Sequence, residues 1–127
     1  MATSQNEINQ ALQNLITMNK NKAEIKRVYI NASPDSEFNA QTVPSDMGDY
    51  SKYFVLFGYG SSPCALAIVE KSKKTLCYGN VSTAVQRTIT INTNNFVVSI
   101  GEMLSGGWTT NNKMMVPLEI YGMKGVI

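Results

Sequence analysis

From Lys52 onward the chain is a series of short apolar runs at roughly ten-residue spacing, each closed by a Gly, Asn, Ser or Pro cluster. No helical period separates them. This pattern predicts an antiparallel β-sandwich of jelly-roll-like class. Residues 53–57 (Tyr, Phe, Val, Leu, Phe) are continuously apolar, so a strand buried on both faces is expected, inside the sandwich or at a subunit interface. Residues 64–69 and 75–78 read as a hairpin with its tip at Lys71, Lys73 and Lys74. Residues 85–92 alternate, with Ile89 and Ile91 inward and Thr88 and Thr90 outward, and 96–100 return as their partner. Residues 101–112 read as a long glycine-containing loop around Trp108. The last strand alternates Val116, Leu118 and Ile120 against Pro117, Glu119 and Tyr121. Pro117 has no N–H to give to a ladder, so that strand is expected at a sheet edge or with a bulge.

The N-terminal 30 residues follow a different period. Ser4 with Glu7 three residues on reads as a capping box, and a helix is predicted from there to about residue 28. Ile8, Leu12, Leu15, Met18 and Ile25 are its large apolar residues: the seam Ile8, Ala11, Leu15, Met18, Lys22, Ile25 fits a heptad with one polar break at Lys22, while a competing seam of Ile8, Leu12 and Leu15 fails at Asn19 and Lys22. The other positions are mostly Asn, Gln and Lys, too polar for a core helix. The seam therefore predicts self-association as a short coiled coil, a rod of roughly 36 Å; the competing expectation is a helix lying on its own β-domain. Residues 31–51 are rich in Asn, Ser, Asp and Pro, with Phe38 and Val43 as isolated apolar anchors. They read as a linker with one short strand near 38–43. The expected domains are thus an N-terminal helix over 1–30, a linker over 31–51 and a β head over 52–127.

Composition narrows the function. Apolar residues make up 43% of the chain, enough for a real core, while charged residues reach only 16%, below the roughly 25% of average domains. The net charge of +2 is too small to suggest nucleic acid. With no histidine, the commonest general base and metal ligand are missing. No cofactor or metal is expected, nor a catalytic constellation. No signal peptide and no membrane-inserting segment are visible. The two cysteines, Cys64 and Cys77, are expected as reduced, buried thiols, with a disulfide across the predicted hairpin as the alternative.

Three features remain as ligand candidates. Trp108 follows two glycines in a polar stretch, so it either stacks on a sugar ring or caps the core from above. Tyr59 in a glycine turn and Tyr78 near a strand end pose the same choice. Lys71, Lys73 and Lys74 form either a solvated tip or an attractor for an anionic surface.

The order of parts carries a resemblance: a short polar helix, a strand-only domain, then Asn111, Asn112, Val116, Pro117, Ile120, Tyr121, Gly122, Met123, Lys124 and Gly125. This ending resembles the C-terminal strand of small β-rich head domains in phage and prophage tail fibre and baseplate proteins. The hairpin of 88–92 with 96–98 is similar as well, as is the lead-in at 19–26. The resemblance implies a non-enzymatic virion component, homotrimeric, made in the cytoplasm of a host bacterium without a signal peptide. It would sit among other tail or baseplate proteins and contact host surface polysaccharide. The alternative is a cellular β-sandwich carbohydrate-binding or scaffold module that docks on a partner through its helix.

Overall fold

The computed structural model describes residues 2–20 and 24–124, with side chains described for 5–14 and 24–124. One helix, α1 (Ala2–Lys20), precedes ten strands: β1 (Glu24–Ile30), β2 (Gln41–Pro44), β3 (Lys52–Tyr59), β4 (Ser62–Glu70), β5 (Thr75–Asn80), β6 (Ala84–Ile91), β7 (Asn95–Val98), β8 (Glu102–Leu104), β9 (Trp108–Thr110) and β10 (Val116–Lys124). The chain is mainly β, built from antiparallel sheets that form a half-barrel.

The first sheet runs β1-β10-β3-β4. In the second, β6 is the spine: β5 lies along one edge, and β7 then β8 follow one another along the other. β2 extends the sheet beyond β7, and β9 beyond β8. The inner faces meet in one core. Tyr53, Val55, Phe57, Val69 and Ile120 come from the first sheet, and Cys77, Val85, Ile89, Ile91, Phe96 and Val98 from the second. Met47, Met114 and Met115 complete it from the connecting segments, and Tyr29 meets Phe96 edge-on with ring centroids 4.7 Å apart.

Several expectations change. The helix starts at Ala2 and ends at Lys20, so Ser4 lies inside its first turn, and Glu24–Ile30 is a strand rather than the last helical turns. Ile25 consequently belongs to β1, not to a helical seam. The reason is tertiary: β10 has a free edge there, and Val28, Tyr29 and Ile30 suit a pleated surface better than a helix. Ile8 and Leu12 are exposed on α1, while Leu15 and Met18 lie outside the described side chains, as does Lys22. All the described side chains of α1 are in solvent, so none of them packs on the β-domain.

The last strand is central, between β1 and β3, and accommodates Pro117 with a bulge between Pro117 and Glu119. Of residues 53–57, only Tyr53, Val55 and Phe57 enter the core; Phe54 and Leu56 are partly exposed on the opposite face. β4 and β5 are not a hairpin. The Lys71–Lys74 segment instead crosses from one sheet to the other, so Cys64 and Cys77 belong to different sheets, and both are free. The linker does contribute a strand, β2, which pairs with β7. The loop expected around Trp108 is largely a further hairpin, β8–β9.

One inward position was not expected to be charged. Arg87 on β6 is 1% exposed and faces the core. Its Nη1 donates to the carbonyls of Phe38 and Ser99, both at 2.7 Å, and its Nη2 to those of Asn112 at 3.2 Å and Met114 at 3.0 Å. Phe38 also lies under the guanidinium, 5.9 Å from ring centroid to Cζ. Nε is the one buried side-chain nitrogen or oxygen without a partner among the described residues. Burial lowers the Arg87 pKa to about 10, which still leaves it cationic at neutral pH. Gly101 makes room for this arrangement. A methyl group there would lie 2.5 Å from the Asn111 carbonyl oxygen and 2.6 Å from Arg87 Nη2.

Replacing Arg87 by Met keeps much of the volume but strips the carbonyls of Phe38, Ser99 and Met114 of their side-chain donor, while that of Asn112 keeps the Phe38 N–H; each carbonyl left buried and unpaired costs about 1–3 kcal/mol. Allowing for water entering the gap, Arg87→Met is expected to lose about 3–5 kcal/mol in urea unfolding, a large share of a typical domain's stability. A loss under about 1 kcal/mol would show that the guanidinium is dispensable.

The thiols give a pH prediction. Burial raises the Cys77 pKa to about 11 from 9.0, and burial likewise raises that of Cys64, whose Sγ sits 3.8 Å from the Met115 sulfur. A raised acid pKa means the folded state holds its proton longer than the unfolded chain. That contribution to stability is complete below pH 9 and is lost as pH rises towards 11. The native protein is expected to alkylate slowly at pH 8, to expose two thiols on denaturation without reductant, and to lose stability above pH 9 in proportion to the cysteines present. Cys77→Ala should flatten that alkaline decline.

Candidate ligand-binding face

In an antiparallel ladder, residues directly opposite one another point to the same side of the sheet. Tyr78 on β5 faces Gln86 on β6, Gln86 faces Glu102 on β8, and Glu102 faces Thr110 on β9. This is one row across the outer face of the second sheet. On the same face, one row towards the turns, Leu104 faces Trp108. The inward row next to it, Val85 with Met103, confirms the sense of the alternation, since Val85 is fully buried.

Trp108 and Tyr78 therefore share a surface although thirty residues separate them. Trp108 is 41% exposed and Tyr78 62%. Trp108 is thus not a lid on the core. It stands on an edge strand beside a turn made by Gly106 and Gly107 at φ 69° and 155°, where nothing crowds either glycine. By strand spacing of ~4.8 Å, the two rings sit on strands roughly 14 Å apart. Between them lies a polar strip. Gln86 Nε2 donates to Glu102 Oε1 at 3.1 Å, and Thr88 continues the row of outward side chains on β6. Leu76 and Leu104 add exposed aliphatic surface at the two margins. The hairpin is tied to the neighbouring turn through Thr83 Oγ1, which donates to the Leu104 carbonyl at 2.8 Å.

Tyr59 lies elsewhere. It ends β3 and lines a cleft of about 330 Å³ with Pro34, Asp35, Ser36, Gly60, Ser61, Ser62 and Lys113. Gly60 is required there: its φ is 58°, and a side chain would press on Asp35. The turns after β3, after β5 and between β8 and β9 all lie at one pole, because β4 and β5 run away from and back to it.

The lysines mark the opposite pole and are largely answered. Lys71 Nζ reaches Asp49 Oδ1 at 2.8 Å, and Lys73 pairs with Glu70. Each pairing holds the carboxylate below its usual range and raises the lysine, by hydrogen bonding first and charge second. Lys74 is exposed and makes no ion pair among the described residues. An anion approaching this pole meets two carboxylates along with three lysines. The neighbouring Asp46 is occupied locally, accepting from the Gly48 N–H at 3.0 Å in a turn. Among the described residues no cluster of Cys, Asp and Glu is placed to hold a metal ion.

Sequence reading singles out Trp108 and Tyr78 but not their shared face, since that depends on β8 and β9 being strands. Gln86 and Glu102 carry no motif of their own; only the register reveals them. Trp108→Ala is expected to lower stability by no more than about 1 kcal/mol, the range of exposed positions. A loss of about 3–5 kcal/mol would mean that the ring supports the core after all. The chain matches no protein-family model, no curated protein and no solved structure.

Proposed function

We propose that this protein is a non-catalytic, saccharide-binding component of a phage tail fibre or baseplate, presented as a homotrimer and directed at the polysaccharide of a bacterial surface. The observation that carries the binding reading is the pairing of Trp108 and Tyr78 on one outer sheet face with a hydrogen-bonding strip between them. Sugar rings present an apolar face and an equatorial rim of hydroxyls. An exposed indole and phenol supply flat, polarisable surfaces for the former. Gln86, Glu102 and Thr88 supply donors and acceptors for the latter. The separation of the two aromatics suits a chain of several sugar units rather than a single ring.

The tail assignment draws on the resemblance of the C-terminal strand and on the order of helix then strand-only domain. A jelly-roll-like arrangement of the strands and a trimeric coiled coil in α1 belong to the same proposal. The exposed Ile8 and Leu12 support a partnered helix. That helix also favours the rival reading, a cellular carbohydrate-binding or scaffold module docked on another protein. The two differ in mass, since the module is expected as a monomer when pure.

Trp108 is the only tryptophan, so intrinsic fluorescence reports on the proposed site directly. Titration with purified bacterial surface polysaccharides is expected to shift its emission to the blue and to saturate for at least one of them. Trp108→Ala and Tyr78→Ala should each weaken binding to whole cells at least tenfold with the fold retained by circular dichroism. Added salt should change binding little, because the face carries few charges. Wild-type binding by both variants would remove the saccharide reading from this face and direct attention to the cleft at Tyr59.

A further inference from the structure

The outer face of the first sheet has a different character. Register places Ile25 and Ile30 of β1, Phe54 and Leu56 of β3, and Leu66 and Ile68 of β4 on it. Leu66 is 65% exposed and Ile68 58%, and Ile25 and Ile30 are also more than half open to water. Leu66 and Ile68 adjoin the partly exposed Phe54 and Leu56, and Ile25 and Ile30 lie on the far edge across β10, beyond Glu119 and Tyr121; exposed apolar surface gathered on one face in this way marks an interaction site. At one end the face deepens into an apolar cleft of about 280 Å³ bounded by Ile30, Leu56, Pro63 and Leu118.

We infer that this face is the surface through which copies of this chain associate, each covering it with the same face of its neighbours. Three observations select another copy as the occupant. The first is charge: Arg27 is paired with Glu119 at 3.1 Å, and Lys52 stands opposite Glu70 across the strands. Both signs are interspersed on the face, with Lys73 also reaching Glu70, so it meets its own image without a single-sign repulsion. The second is extent. The face is four strands wide, and its strands are seven to nine residues long, a footprint of about 19 by 26 Å, the scale of one side of a protein–protein interface. The third is continuity. β1, an edge of this sheet, begins four residues after α1, whose Ile8 and Leu12 are equally uncovered. Association of copies covers both surfaces at once, whereas the described part of the chain's own helix covers neither.

The inference rests on the proposed homotrimer only for the number of copies. Four strands at ~4.8 Å make a wall about 19 Å wide, and three such walls around one axis leave about 5.5 Å from axis to sheet. That is close to half the ~10 Å separation of packed sheets, so side chains of ordinary length fill the interior.

The test uses the full chain. Light scattering at micromolar concentration is expected to give the mass of three chains. L66K with I68K, both at solvent-exposed positions, is expected to weaken association at least tenfold while circular dichroism and Trp108 fluorescence keep their native form. A photo-crosslinking amino acid in place of Leu66 should join to peptides from β1, β3 or β4 of another chain. A monomeric wild type overturns the inference, and so do unchanged association of the double variant or crosslinks confined to residues 1–20. If the double variant unfolds, the crosslinked peptides decide. A two-chain mass with the expected crosslinks upholds the face and overturns the trimer.

Discussion

A single buried guanidinium holds the β-domain's separate connections in register. Arg87 reaches from the middle of β6 to the carbonyls of Phe38, Ser99, Asn112 and Met114. These belong to the linker before β2, the jog between β7 and β8, and the turn into β10. Each is a place where the chain leaves a ladder and turns a carbonyl inward, and such groups are costly if unanswered. A planar fork with five donors serves two carbonyls per terminal nitrogen. An ammonium, a point charge with three donors, does not. Around it the backbone is bent to fit: Gly101 leaves space against Arg87 Nη2, and buried Met115 takes a φ of 51°. The turn reinforces itself, with the Phe38 N–H donating to the Asn112 carbonyl at 3.0 Å and the Gly101 N–H to Asn112 Oδ1 at 3.0 Å.

Much of the β-domain was legible because a half-buried strand writes its geometry as alternation. The hairpin of β6 and β7 and the inward Ile89 and Ile91 follow from that period, and the bulge alternative at Pro117 follows from its missing N–H. The same alternation, carried two residues back from Ile89, puts Arg87 inside. Its charge hides it from a reading that looks for apolar residues. The misreadings share a cause. Glu24–Ile30 looks like a helix's continuation until β10 offers it an edge, and 64–69 with 75–78 look like a hairpin because adjacency in sequence is the best available guess. Trp108's surroundings look like a loop because β8 and β9 span three residues each, too short to show a period. The candidate site was half legible for the same reason: its aromatics stand out by type, its polar strip only by register.

The two sheets hide similar inner faces and show dissimilar outer ones. On the first sheet, Leu66 and Ile68 stand where a free-standing domain would place Lys or Thr. On the second, Thr88, Thr90, Gln86 and Glu102 hold the centre and large side chains are confined to the flanking strands. That contrast is what separates a surface suited to burial from one suited to wet, reversible contact. It arises within one chain because each strand makes its two faces independently, residue by residue.

Because the sheets lie back to back across one core, the face proposed for association and the face proposed for sugar point in opposite directions. Copies joined through the first therefore display the second outward, several times over, without obstructing it. On a surface polymer that repeats its unit, binding at one display site raises the effective concentration of the sugar at the others, typically to the millimolar range for short connections. A shallow face with weak affinity for one oligosaccharide then becomes adequate for holding on to a cell. It also lets go of any soluble fragment, which engages only one site at a time. Avidity of this kind needs no deep pocket, and a flat strip between Tyr78 and Trp108 is consistent with it.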